Sequence, residues 1–168
     1  MLAKVVSVHI ILLAILSTSI SSYAQNLCIK QEKVIFSFHT KSKKILPLCK
    51  GNNYLVYKFG IKNKLELQFP NKLNQRSWEQ FEFSGKSRPG GKENAGFGEY
   101  DILFVNASCE YSIYQIWDDE EDTYEIGAKV KSRNKKITIR GIPKTQEGSL
   151  LLLEDESKNI ANSAQLEP

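Results

Sequence analysis

Residues 54–69 read YLVYKFGIKNKLELQF and contain two short runs of alternating side chains. In the second run, residues 65–69 (Leu-Glu-Leu-Gln-Phe), apolar and polar side chains alternate strictly. A period of two places the apolar side chains on one face of a β-strand and the polar ones on the other, which is typical of a half-buried strand. Residues 60–63 (Gly-Ile-Lys-Asn) separate the two runs with a turn-forming sequence, so the stretch predicts a β-hairpin.

Similar runs recur along the rest of the chain. They lie at residues 34–39, 78–83, 100–105, 110–117, 124–131, 136–139 and 149–153. Branched and aromatic side chains fill them, as a pleated and half-buried surface favours. Many short strands separated by frequent turns predict an all-β fold, either a single antiparallel β-sandwich or a barrel, with about eight to ten strands.

Two polar segments bear on the domain organisation. Residues 85–92 (Gly-Lys-Ser-Arg-Pro-Gly-Gly-Lys) have the composition of a linker. Because neither half of the chain alone is long enough for a secure core, this segment is interpreted as a surface loop within one domain. Residues 154–168 carry few apolar side chains and are predicted to form a flexible polar tail, which leaves residues 25–153 as a single all-β domain.

The first 24 residues have the layout of a cleavable secretory signal peptide. Lys4 precedes a largely apolar stretch at residues 5–20, and the small residues Ser22 and Ala24 lie at positions −3 and −1 of a cleavage after Ala24. A transmembrane anchor is the alternative, but it needs about 20 strongly apolar residues, and serine and threonine dilute the end of this stretch. The sequence therefore predicts a periplasmic or secreted protein with no transmembrane segment after cleavage.

The mature chain is short and only weakly basic. Cleavage leaves 144 of the 168 residues and removes Lys4 from a chain of net charge +4, so the mature charge is +3. A charge of this size does not favour a nucleic-acid partner.

The mature chain contains three cysteines, Cys28, Cys49 and Cys109. In an oxidising compartment two of them are expected to pair, and their spacing leaves all three pairings open. No two cysteines have the spacing of metal ligands and His39 is the only mature histidine, so neither a metal site nor another cofactor is predicted. A catalytic triad has no support from one histidine without a recognisable nucleophile motif. The chain is therefore interpreted as non-catalytic.

A run of five acidic residues lies between two predicted strands. It consists of Asp118, Asp119, Glu120, Glu121 and Asp122. The run lacks the glycine and the alternating spacing of a calcium-binding loop. Two interpretations remain, a solvated hairpin tip and a docking patch for a basic partner.

Two aromatic residues precede the acidic run on opposite faces of one predicted strand. Trp117 shares its parity with Tyr111 and Ile113, whereas Tyr114 lies on the other face. If that face is solvated, Tyr114 is exposed beside the acidic run, where aromatic side chains can act as binding hot spots. If two sheets pack together, both faces are partly buried instead. Tyr114, Trp117 and residues 118–122 are the predicted partner-binding residues.

Four segments in the first half of the mature chain resemble a family of uncharacterised small exported bacterial β-proteins. They are a strand with Phe-Ser at residues 35–38, a Leu-Cys strand end at 48–49, a Tyr-Leu-x-Tyr-x-Phe-Gly strand at 54–60 and a Glu-Leu-x-x-Pro strand at 66–70. The match covers about residues 28–70, and agreement around residues 127–130 and 137–141 is loose. The resemblance implies export, a disulfide and a β-fold, and it implies neither an enzymatic activity nor a ligand.

The resemblance also implies which cysteines pair. Such proteins often carry further cysteines at the positions held here by Phe38 and Arg140, and the absence of both is what the loss of one disulfide leaves. The remaining pair is then Cys28 with Cys49, and Cys109 is the free thiol. An antiparallel hairpin of the first two strands brings Cys28 and Cys49 within the roughly 4.4–6.8 Å between α-carbons that a disulfide requires.

Three functions are compatible with these features. The first is an exported envelope protein that binds or inhibits another envelope or wall-acting protein. The second is a hydrolase of cell-wall or surface polysaccharide, for which two carboxylates are needed. The carboxylates available for it are Glu66, Glu79, Glu82, Glu99 and Asp101. The third is a passive structural protein of the envelope.

The signal peptide yields a direct prediction. When the full chain is expressed in a Gram-negative host, the purified protein should begin at Gln25, because the residues before it match a signal-peptidase site. Intact-mass spectrometry measures this. Recovery of a product that retains residues 1–24 in the membrane fraction would identify an anchor instead.

Overall fold

The computed structural model describes residues 27–156 and 160–162, so the predicted signal peptide lies outside the described residues. The strands are β1 (Lys33–His39), β2 (Ile45–Lys50), β3 (Leu55–Ile61), β4 (Lys64–Phe69), β5 (Glu82–Arg88), β6 (Phe97–Asn106), β7 (Cys109–Asp118), β8 (Thr123–Ser132), β9 (Lys135–Arg140), β10 (Glu147–Gly148) and β11 (Ala161–Asn162). Short 3-10 helices occupy Gln75–Gln80, Pro143–Thr145 and Leu150–Leu153. Across these described ranges, no helix is both long and apolar enough to cross a membrane.

The strands form two sheets. The smaller sheet has the order β10-β1-β2-β3-β4 and the larger sheet has the order β11-β5-β6-β7-β8-β9. Neighbouring strands are antiparallel except for β11, which pairs in parallel with β5. The predicted all-β fold is confirmed, and it is a sandwich rather than a closed barrel. Nine of the strands have six or more residues, within the predicted range of about eight to ten, and the other two are two-residue strands at sheet edges.

Aromatic rings from both sheets meet at Phe104, a buried residue of β6. The Phe104 ring stacks on Phe69 of β4 at 4.3 Å and on Tyr111 of β7 at 4.7 Å between ring centroids. Tyr57 of β3 lies 5.0 Å from the same ring. Aromatic pairs at such distances contribute beyond the area they bury, so this cluster fastens the smaller sheet to the larger one.

The chain after β9 returns to both sheets. The backbone N–H of Ile142 donates to the carbonyl of His39, and β10 then pairs with β1 of the smaller sheet. Further along, Ile160 is buried in the core and β11 pairs with β5 of the larger sheet. Part of the segment predicted as a tail, residues 154–168, therefore packs on the domain. Residues 157–159 and 163–168 lie outside the described residues.

Two runs predicted as strands are wholly or partly 3-10 helices, because local side chains cap their backbone groups. For residues 78–83, the helix Gln75–Gln80 covers the first half and β5 begins only at Glu82. The Asn74 side chain accepts a hydrogen bond from the N–H of Arg76 at its start. For residues 149–153, the Ser149 hydroxyl accepts from the N–H of Leu151 in the same way. Such caps satisfy helical N–H groups and favour a helix start over a strand.

The segment predicted as a loop, residues 85–92, is a strand in its first half. β5 continues to Arg88 and pairs with β6 as far as Phe97. The Arg88 guanidinium donates two hydrogen bonds to the carbonyl of Ala95 and lies 5.2 Å from the centre of the Phe97 ring. Backbone pairing with a long neighbouring strand therefore outweighs the linker-like composition of this segment.

The predicted disulfide is confirmed. Cys28 and Cys49 are bonded, with 5.7 Å between their α-carbons. β1 and β2 form the expected antiparallel hairpin, in which Val34 lies opposite Cys49, so the chain just before β1 passes close to the end of β2. Cys109 is the free cysteine and is half-buried.

The aromatic cluster predicts a large contrast between two neighbouring substitutions. Phe104→Ala should lower the free energy of unfolding by about 3–5 kcal/mol, because it removes a buried ring and leaves a cavity. Val105→Ala is the matched control and should change the free energy by less than about 0.5 kcal/mol, since Val105 is 65% exposed. Urea unfolding of the oxidised proteins measures both. An equal decrease in the free energy of unfolding for both variants would contradict the placement of Phe104 in the core.

Candidate functional site

The acidic run forms the tip of the β7–β8 hairpin. Asp118 ends β7, and its carboxylate accepts hydrogen bonds from the N–H groups of Glu120 and Glu121 at 2.9 and 3.2 Å. Asp122 has a φ of 50°, a left-handed conformation that aspartate adopts more readily than most residues. One carboxylate therefore builds the turn, and residues 119–122 remain exposed.

Trp117 is positioned beside this tip by a close approach to glycine. β6 and β7 place Gly98 opposite Trp117, and a Cβ atom on Gly98 would lie 2.1 Å from the indole ring. The indole also stacks on Tyr100, with 5.6 Å between ring centroids and an angle of 18° between the planes. One face of Trp117 is thereby fixed against the core, and the residue is half-buried.

Trp117 and the acidic tip line one cleft of about 490 Å³, which we call the acidic cleft. Its lining includes Trp117, Asp118, Asp119, Asp122, Tyr124 and Leu151. Tyr124 and Leu151 are each 42% exposed, so the cleft presents apolar surface as well as carboxylates. Among the described residues that line it, none is a lysine or an arginine.

Hydrogen bonds hold Tyr124 in place. The buried Gln115 side chain donates to the Tyr124 hydroxyl at 2.9 Å, and that hydroxyl donates to the side-chain oxygen of Gln146 at 2.7 Å. Gln115 also accepts from the Ser149 hydroxyl and from the N–H of Leu150, at 3.0 and 2.8 Å. The C-terminal segment thus completes the cleft and orients its exposed tyrosine.

Tyr124 is not among the binding residues predicted from the sequence, although the sequence does indicate its position beside Trp117. Trp117 and Tyr124 are cross-strand partners in the β7–β8 hairpin. Two aromatic residues placed symmetrically about a polar turn are expected to lie side by side on one face of a hairpin.

Tyr114 does not join the acidic cleft. It lies on the outer face of the larger sheet, directly over Gly127, and is only 2% exposed. Lys129 covers its ring at 4.7 Å, and burial raises the pKa of the Tyr114 phenol. Tyr114 is therefore buried by neighbours on its own sheet rather than exposed beside the acidic run. The structure brings Trp117 together with Asp118, Asp119 and Asp122 and leaves Tyr114 apart. The other two predicted residues, Glu120 and Glu121, are exposed at the hairpin tip and do not line the cleft.

The five carboxylates considered for hydrolysis are divided among three places. Glu66 forms an ion pair with Lys44 on the smaller sheet. Glu79 and Glu82 line a cleft of about 380 Å³. Glu99 and Asp101 line a larger groove of about 720 Å³ on the outer face of the larger sheet.

Asp101 is a half-buried carboxyl group of this outer groove. Burial raises the pKa of Asp101, although the hydrogen bond from the Ser112 hydroxyl, at 2.6 Å, and the charge of Lys129 act in the opposite direction. Glu99 lies two residues away on the same strand and forms an ion pair with Lys86 at 2.8 Å. Among the described residues, three carboxyl groups line the groove: Asp101 is desolvated, Glu99 is paired with Lys86, and Glu110 lies 4.0 Å from the Lys131 ammonium.

The described residues also bring Cys28, Glu32 and Cys49 within 4.8 Å of one another. These residue types can bind metal ions. The two sulfur atoms are bonded to each other here, so the group is a disulfide with an adjacent carboxylate in this state.

Comparisons with known proteins gave no match to a family model, to a curated protein or to a solved structure. The family resemblance described above stays a prediction.

The environment of Asp101 predicts a pH-dependent stability difference. Its raised pKa means that the folded protein holds this proton more tightly than the unfolded chain does. Its contribution to stability therefore falls as the pH rises from the unfolded pKa, about 3.9, through the folded pKa. Asp101→Asn removes this loss, so the free energy of unfolding of the variant minus that of the wild type should increase with pH in this window.

Urea unfolding at several pH values tests this expectation. Asp119→Asn serves as the control, because Asp119 is an exposed carboxylate. A difference for Asp101→Asn that is flat or declines as the pH rises would contradict the assigned desolvation.

Proposed function

We propose that this protein is an exported, non-catalytic binding module of the cell envelope, and that its acidic cleft binds a basic segment of a partner protein. The observation that carries the proposal is the combination of Trp117 and Tyr124 with three aspartates in one cleft. A wall-acting or other envelope protein is the proposed class of partner, and binding there blocks or anchors it.

The chemistry of the cleft favours a cationic side chain. Carboxylates form charge-assisted hydrogen bonds with arginine and lysine, and the planar guanidinium of arginine also stacks on aromatic faces. Tryptophan and tyrosine are enriched among residues that dominate binding energies. The whole chain carries a net charge of +4, so the negative cleft is a local feature that can steer a basic surface towards it.

The rigidity of the cleft supports the same proposal. Trp117 is fixed by Gly98 and Tyr100, and Tyr124 is fixed by Gln115 and Gln146. Side chains that are ordered before binding lose less conformational entropy when the partner arrives. Contacts that fix exposed aromatic side chains in this way are more typical of a binding surface than of an ordinary surface groove.

The disulfide supports the proposed location. Cys28–Cys49 is expected to form and persist in an oxidising compartment such as the periplasm or the extracellular space. Together with the signal sequence, it favours a partner that also works outside the cytosol.

A second candidate function rests on the outer groove. A carboxyl group with a raised pKa can act as a general acid, and Asp101 has a second carboxylate two strand positions away in Glu99. This arrangement favours a hydrolase of cell-wall or surface polysaccharide. Hydrolysis of a wall or surface polysaccharide by the wild type, and loss of this activity in Asp101→Asn, would support this function. A passive structural protein predicts neither hydrolysis nor a stoichiometric partner.

The binding proposal is tested with charge-neutral variants of the cleft. Asp119→Asn with Asp122→Asn preserves side-chain shape, and asparagine tolerates the left-handed backbone at 122. The matched control is Glu79→Gln with Glu82→Gln, which removes the same charge from a different cleft. Immobilised mature proteins are incubated with envelope extract, and the Kd of any stoichiometric partner is then measured at low and high salt.

The cleft variant should bind about five- to tenfold more weakly than the wild type at low salt, because exposed charge pairs contribute roughly 0.2–1 kcal/mol each. The difference should shrink at high salt, where exposed charges are screened. The control should bind like the wild type. A partner that binds both variants equally, or no partner at all, would contradict the proposal.

A further inference from the structure

A buried ion pair lies at the start of the described chain. The Lys58 ammonium on β3 is 2.7 Å from the Glu32 carboxylate, and the two side chains are only 6% and 0% exposed. Charges removed from water to this degree are expensive unless each has a partner. Burial of the charged Lys58 side chain is therefore tolerated only because Glu32 supplies the opposite charge.

Residues 27–32 supply the counter-charge, from Glu32, and a second hydrogen-bond acceptor for Lys58. Lys58 also donates to the carbonyl of Leu27 at 3.2 Å, so both ends of this short segment contact the same ammonium group. Glu32 accepts further hydrogen bonds from the N–H of Ile29 and from the Tyr54 hydroxyl, at 2.8 and 3.0 Å. The segment precedes β1 and has no strand pairing of its own.

The disulfide attaches this same segment. Cys28 lies between Leu27 and Ile29, and its partner Cys49 is on β2, opposite Val56 of β3. The covalent bond and the ion pair therefore fix one six-residue segment to neighbouring strands of the smaller sheet. Closing the disulfide raises the local concentration of Glu32 at Lys58, because it restricts where the segment can go.

We infer that residues 27–32 form a redox-coupled clamp, in which the oxidation state of Cys28 and Cys49 decides whether Glu32 is seated against Lys58. Reduction by a thiol compound converts the disulfide to two cysteine thiols and the two reductant thiols to their own disulfide. The segment then separates from the sheet, and Lys58 and Tyr54 regain water. The clamp is open in a reducing compartment and closes when the exported chain is oxidised.

Linkage makes the coupling reciprocal. If the disulfide favours seating of Glu32, then seating of Glu32 must favour the disulfide by the same factor. Weakening the ion pair should therefore make the disulfide easier to reduce. The Glu32 carboxylate lies within 4.8 Å of both sulfur atoms but is bonded to neither.

The first test measures this factor in the mature protein. Wild type and Glu32→Gln are equilibrated in glutathione redox buffers, and the oxidised fraction is read by alkylation and mass spectrometry. Two controls accompany them. Glu66→Gln breaks the partly exposed ion pair with Lys44, and Ile113→Val destabilises the core away from the clamp.

Glu32→Gln should lower the equilibrium constant for disulfide formation at least fivefold, which is the lower end of typical coupling factors. Both controls should change it less than about twofold. An effect of Glu32→Gln below twofold would refute the coupling. An equal effect of Ile113→Val would also refute it, because the response would then report global stability.

Amine labelling and hydrogen exchange together separate a local clamp from global unfolding. On reduction, Lys58, whose side chain is 6% exposed in the oxidised protein, should become reactive towards an acylating reagent, while amides of β6 and β7 keep their protection from exchange. A Lys58 that stays unreactive would show that the segment stays seated without the disulfide. Loss of protection throughout the sheets would show that reduction unfolds the whole domain, and either result overturns the proposal.

Discussion

The packing of Phe104 against rings of the smaller sheet is the interaction on which the architecture depends. The two sheets come from separate parts of the chain, β1–β4 and β5–β9, and among the described strands no hairpin has one strand in each sheet. Phe69 and Tyr57 meet Phe104 across the interface, and the buried aliphatic residues extend the contact. The chain after β9 then reinforces this contact by pairing with an edge of each sheet.

The packing of the inner faces of both sheets into this core also explains where the acidic cleft forms. Along β7 the inner-face residues change from the fully buried Ile113 to the half-buried Trp117 as the hairpin approaches its tip. Tyr124, the cross-strand partner of Trp117, is 42% exposed. The acidic cleft therefore forms near the hairpin tip, where the inner face of the larger sheet is only partly covered by other residues. Its aromatic side chains belong to the same stripe as the core, which is why they are firmly held.

The acidic cleft and the clamp lie on different sheets and depend on different forces. The acidic cleft of the larger sheet relies on exposed carboxylates, whose influence is long-ranged but screened by salt. The clamp on the smaller sheet relies on a buried ion pair, which is nearly insensitive to screening and depends on precise seating. Reduction of the Cys28–Cys49 disulfide is therefore expected to release the clamp, residues 27–32, without rearranging the acidic cleft.

Local patterns in the sequence determined most of the strands, the hairpins at residues 60–63 and 118–122, and the proximity of Trp117 to the acidic run, because alternation and turn chemistry act between near neighbours. The pairing of Cys28 with Cys49 was predicted from the resemblance and from the hairpin of the first two strands, since the spacing of the three cysteines leaves every pairing open. Tertiary structure alone decided that Tyr114 is buried on the outer face, that Gln146 orients Tyr124, and that Glu32 neutralises Lys58. Each of these depends on residues far apart in the chain or on neighbouring strands, whose contacts no local period encodes.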